Sequence, residues 1–169
     1  FRGLNIAGRR VFNDYQLLVG GLPLDPESAR VVVRPDALIR TYPSGMTETL
    51  RLFDHVEVVE VTLTGSGDRA ELRLSGDQVK PAGGVGGLTW YVSSSGPAAT
   101  TVDHIVVGRR GERFFIAVGP SRAAARDLSE RAAVQATRWA EERRARLAGL
   151  IHGDRYLWTD DARLTEALR

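Results

Sequence analysis

The sequence predicts a mainly β protein, an antiparallel β-sandwich followed by C-terminal linker helices. Two observations carry that prediction. Up to Gly119 apolar and polar residues alternate with a period near two, the mark of half-buried strands, and Gly/Pro/Ser turns punctuate them at short intervals. From Ser121 onward the spacing becomes helical, rich in Ala, Arg, Glu and Leu, and does not return to strand. The expected organisation is a sandwich over 1–119, linker helices over 120–152, and the start of a further helical domain over 153–169.

Taken in order, Tyr15 to Val19 is a short apolar strand ended by Gly20-Gly21. Leu22 to Glu27 reads as a loop, because Pro23 and Pro26 cannot serve a central ladder. Ala29–Arg34 and Ala37–Tyr42 are strands joined at Pro35-Asp36, and Pro43-Ser44-Gly45 turns the chain again. Met46 to Phe53 alternates, with Met46, Leu50 and Leu52 on one face and Thr47, Thr49 and Arg51 on the other. His55 to Thr64 is the clearest strand, and its phase slips between Val58 and Val59. Such a slip implies a bulge or twist, or a strand buried on both faces. Ala70–Leu74, Leu88–Val92, Thr101–Val107 and Arg113–Val118 complete the strands, a meander within a sandwich. The run Gly83-Gly-Val-Gly-Gly87 lacks a Walker Lys-Ser/Thr and precedes a strand, so it reads as a surface loop, not a phosphate cradle. Ser121 is a fair N-cap for a short helix to Leu128, and a second helix is expected over about 130–151. That helix carries Ala132, Ala136, Trp139, Ala140, Leu147, Leu150 and Ile151 on a narrow apolar stripe interrupted by Arg143.

Composition narrows the function. The chain of 169 residues is 43% hydrophobic, enough for a core, and holds no apolar run long enough to span a membrane. It has no cysteine, which removes disulfides, thiol catalysis and Cys-ligated zinc and fits a reducing, cytoplasmic compartment. Net charge is only +2, and the arginines are dispersed among acids, as in Glu141 to Arg146, so no one-sided stripe for nucleic acid is present. His55, His104 and His152 fall on different elements, where a metal site needs convergent ligands. No cofactor motif is found, and no G-x-S-x-G elbow marks a serine nucleophile. Asp160-Asp161 suits a helix cap, and the apolar side of that helix opens with Leu164, Ala167 and Leu168. A helix this short does not stand alone in water, so a partner element is expected after it. The first residue is Phe1 rather than Met, which suggests a chain trimmed or cut from a longer parent.

The tail resembles a join in bacterial glycosidases of the glycogen-debranching, amylo-α-1,6-glucosidase-like kind. The residues that carry the likeness are Phe115 to Ala125 (FIAVGPSRAAA), the helix from Ala133 to Ile151, and Thr159 to Leu168 (TDDARLTEAL); Thr41 to Phe53 adds a looser match in the strands. The resemblance implies an N-terminal supersandwich, a linker helix, and the opening of an α/α-toroid catalytic domain. It also implies that the two carboxylates of glycoside hydrolysis, set about 5 to 9.5 Å apart, lie on toroid loops outside this chain. No catalytic residue is therefore expected here. The implied partners are the toroid of the same parent chain and an α-glucan. Sugars offer C–H faces to aromatics and hydroxyls to polar groups, so Trp90, Tyr91, Asp103 and His104 are the candidate carbohydrate contacts. The competing reading has alternation send one of Trp90 and Tyr91 into the core. Trp139, Trp158, Leu164 and Leu168 are the candidate interface with the catalytic domain.

Overall fold

The structure is a computed structural model that describes residues 4–6, 9–54, 56–76, 79–95 and 101–152. The described residues are mainly β, with antiparallel sheets and, among them, a single α-helix after the strands. A short ladder joins β1 (Leu4–Ile6) to β2 (Arg9–Phe12). β3 (Asp14–Val19) pairs on one side with β4 (Leu22–Pro23). Two meanders follow: β5 (Arg30–Arg34), β6 (Ala37–Thr41), β7 (Thr47–Leu52) and β8 (Val58–Thr64), and later β10 (Val79–Val85), β11 (Leu88–Ser95), β12 (Thr101–Arg110) and β13 (Arg113–Gly119). Pairing of β13 with β8 fuses them into one eight-stranded sheet, β10-β11-β12-β13-β8-β7-β6-β5. Between the meanders, β9 (Ala70–Ser75) leaves to pair with β3 and makes a three-stranded sheet β4-β3-β9.

The helix α1 (Arg122–His152) makes the third layer. Alternation on the central strands sends Val59, Val61, Leu63, Phe114, Ile116 and Val118 toward the small sheet, against Tyr15, Leu17 and Leu72. It sends Val58, Phe115 and Ala117 the other way, against Ala132 and Ala136 of α1. The phase slip of the sequence is thereby explained. β8 begins at Val58, and both its faces are covered, so apolar residues serve both phases.

Three expectations need correction. Leu22–Pro23, expected within a loop, is the edge strand β4, where a proline is tolerated. The Gly-rich run is part of a hairpin, not a loop: Gly83 to Val85 belong to β10, and Gly86-Gly87 turn the chain into β11. β10 is an edge strand with a register shift between Pro81 and Gly83, which is where a proline and glycines fit a ladder. The two expected helices are one. Ser121 does cap it, accepting the Ala124 N–H at 3.2 Å. Ser129, read as a boundary, is buried instead, and an Arg126–Glu130 pair of 2.8 Å crosses the expected break. Ala125, Ser129, Ala132 and Ala136 recur every three or four residues and give α1 a small-residue stripe that lets it lie close on the sheet. Gly108 and Gly119 receive it. A Cβ on Gly119 would meet the Ala125 backbone nitrogen at 2.8 Å, and one on Gly108 the Ser129 hydroxyl at 2.4 Å.

The later half of α1 is held by ions. Arg143 and Arg146 both reach Asp54, at 2.5 and 2.7 Å, and Arg144 reaches Asp36 at 3.1 Å. The arginine that interrupts the apolar stripe is thus a docking contact. Asp54→Ala is expected to lower the thermal midpoint by several degrees, since one half-buried carboxylate serves two arginines. A calorimetric midpoint indistinguishable from the parent would count against that role.

Candidate functional site

The four residues expected to form a carbohydrate patch do not converge. Register places Trp90 opposite Val106, and Tyr91 opposite Ile105. Trp90 and His104 therefore project on the helix side of the sheet, while Tyr91 and Asp103 project on the side of the small sheet. Trp90 and Tyr91 are each only 5% exposed. Alternation was expected to bury one of them; a layer on each face buries both. Trp90 packs on Ala125 and Val106, and the Arg122 guanidinium covers its ring at 3.8 Å. Asp103 is buried beside its register partner Ser93, and the Ser93 hydroxyl donates to the Val11 carbonyl at 2.6 Å. Trp139 is half-buried and meets Phe53 edge-on, with centroids 5.5 Å apart. Trp158, Leu164 and Leu168 lie outside the described residues, as does His55.

What the fold does assemble is a polar cluster around Glu48, at the mouth of the two-sheet core. β7 carries Glu48 in the same phase as Leu50, so its side chain enters the apolar interior and is 0% exposed. Strand pairing sets Arg40 of β6 directly opposite it. Arg40 Nη1 donates to Glu48 Oε1 at 2.9 Å, Tyr42 Oη donates to Oε2 at 2.5 Å, and Tyr15 Oη of β3 donates to Oε1. Three donors from two segments, β3 and the end of β6, thus converge on one carboxylate, the condition under which a buried charge is tolerated. The cluster lines a cavity of about 260 Å³, shared with Asp14, Leu24 and Pro26.

The electrostatics follow from that geometry. Burial pushes the Tyr15 and Tyr42 hydroxyls above their ordinary range, and the adjacent Glu48 charge pushes them further. Burial opposes the charge on Arg40, but Glu48 outweighs it and the guanidinium is raised. Both tyrosines are therefore fixed as neutral donors. Because their folded pKa values exceed the ordinary 10.0, the unfolded chain releases these protons first as pH rises. Their contribution to stability is complete below pH 10 and declines above it. Urea midpoints measured upward from pH 9 are expected to fall beyond pH 10, and Tyr42→Phe to remove about half of that slope.

Sequence reasoning named Met46, Leu50 and Leu52 as one face and passed over Glu48, which shares it. The signal was present, a lone carboxylate in the buried phase of an amphipathic strand. Glu60 is the same case on the opposite face, in the phase of Val58. It is buried on the helix side of the sheet, paired with Arg113 at 2.6 Å and Arg51 at 3.5 Å. Among the described residues no group of three or more His, Asp or Glu is placed to hold a metal ion. No described helix is long and apolar enough to cross a membrane. No protein-family model matches the chain, and no curated protein and no solved structure is significantly similar to it.

Proposed function

We propose that this chain is a non-catalytic β-sandwich module of a carbohydrate-active enzyme of the glycogen-debranching kind, bracing an α/α-toroid catalytic domain of the same parent. The observation that carries the reading is the attachment of α1. Its first half is seated on glycines of the sheet, and its second half is bound through arginines to Asp36 and Asp54. A helix of 31 residues is about 46 Å long at 1.5 Å per residue. Such a strut transmits the orientation of the sandwich to whatever follows it, which is what a bracing module requires. The likeness of Phe115–Ala125 and Thr159–Leu168 to the sandwich-to-toroid join names the partner.

An independent carbohydrate-binding module of the stacking-platform type is less well supported. Among the residues whose side chains are described, Trp90, Tyr91, Tyr42 and Phe53 are buried and Trp139 is half-buried, so no coplanar aromatic platform faces solvent. The decisive experiment reads the coding sequence beyond Arg169 and assays the purified full-length product on glycogen and maltooligosaccharides. Paired helices with acidic loops, and glucan hydrolysis that weakens when Asp36 and Asp54 are both replaced by Ala, are the expected results. A stop directly after Arg169 would sink the proposal, and so would hydrolysis by the 169-residue chain alone.

A further inference from the structure

We infer that the cavity beside Glu48 is a binding site for a small, neutral, polyhydroxylated ligand of the size of a single sugar ring. The inference goes beyond the bracing role and stands or falls without it. Its first support is unspent hydrogen-bonding capacity. Arg40 carries five N–H donors, and its bonds to Glu48 and Tyr15 both use Nη1. Its side chain lines the cavity and is 13% exposed. Asp14 and Ser75, both exposed in the same lining, add acceptors at the rim.

The second support is charge. Glu48 and Arg40 compensate each other, and Asp14 on the rim adds one negative charge. That net negative balance disfavours phosphates and carboxylates, and within the ion pair an entering cation meets the partly exposed Arg40 guanidinium, not the enclosed Glu48 carboxylate. A hydroxyl both donates and accepts, so adjacent hydroxyls match the Arg40 guanidinium together with the exposed Asp14 carboxylate and Ser75 hydroxyl on the rim. The third support is the wall. Leu24 and Pro26 stand in the same lining and suit the C–H face of a ring. At 260 Å³ the cavity falls just below the roughly 300–1,000 Å³ of drug-sized sites. It holds one ring rather than a chain.

The test is a titration of the full 169-residue chain, followed by amide NMR shifts. The probes are glucose, maltose and myo-inositol, with inorganic phosphate and ethanolamine as charged comparisons. Saturable shifts centred on Tyr15, Tyr42 and Ser75 with the hydroxylated probes are expected, with far weaker responses to the charged ones. Arg40→Lys keeps the charge but loses the planar donors, and is expected to weaken binding about tenfold while the spectrum stays dispersed. Ser75→Ala, on the rim and exposed, provides a second variant that does not threaten the fold. The inference is overturned if no hydroxylated probe saturates, if phosphate or ethanolamine binds as well, or if Arg40→Lys binds undiminished. Because the readout is binding by this chain, its failure is distinguishable from failure of the glycosidase reading, which is read by hydrolysis in the parent.

Discussion

Glu48→Ala is expected to destabilise the protein by about 3–5 kcal/mol, because it strands the charge of a largely buried arginine. Two tyrosine hydroxyls lose their acceptor in the same step. The measurement is the urea midpoint at unchanged m, which separates lost stability from a changed unfolded state. A companion variant tests the cause. Replacing Arg40 and Glu48 together by Met removes both charges and is expected to recover much of the loss, since an apolar pair of similar volume tolerates burial. If Glu48→Ala lies within about 1 kcal/mol of the parent, the cluster does not organise the core mouth.

Gly108→Ala is expected to cost about 1–3 kcal/mol, and Ser129→Ala to restore most of it. The added methyl would stand 2.4 Å from the Ser129 hydroxyl but 3.7 Å from its Cβ. Removing the hydroxyl therefore opens the space without moving the helix. Gly119→Ala is the informative contrast. Its nearest neighbour is the Ala125 backbone nitrogen at 2.8 Å, and no side-chain change can make room there. Its cost is expected to be at least as large and to be indifferent to Ser129→Ala. Equal rescue of both glycine variants would mean that α1 shifts freely on the sheet, and the close seam would be refuted.

Both predictions concern residues that a reading of the sequence treated lightly, and the reasons are physical. The expected strand ended at Val107, whereas β12 runs on to Arg110 and Gly108 faces the helix. Ser129 looked like a boundary because serine disfavours helix interiors in water. Packing against a glycine makes its small size an advantage that local propensity does not register. Glu48 was overlooked because a carboxylate in an apolar phase is unfavourable unless partners arrive from elsewhere. Those partners come from Tyr15, 33 residues away, and from Arg40 and Tyr42 across a hairpin. The four candidate carbohydrate contacts do not converge, for the converse reason. Trp90, Tyr91, Asp103 and His104 are close in the ladder but divided by the sheet itself.

By itself, the chain of residues determined that this is an antiparallel β protein closed by helix, and which side chains share a strand face, because a period of two and a period of 3.6 are properties of the backbone. What covers each face was decided only in three dimensions. The helix folds onto one side of the large sheet and the small sheet onto the other, so Trp90 and Tyr91 are both buried and Glu48 and Glu60 both enclosed. Alternation says that two residues point apart; it does not say whether water or protein meets them, and that difference sets the energy.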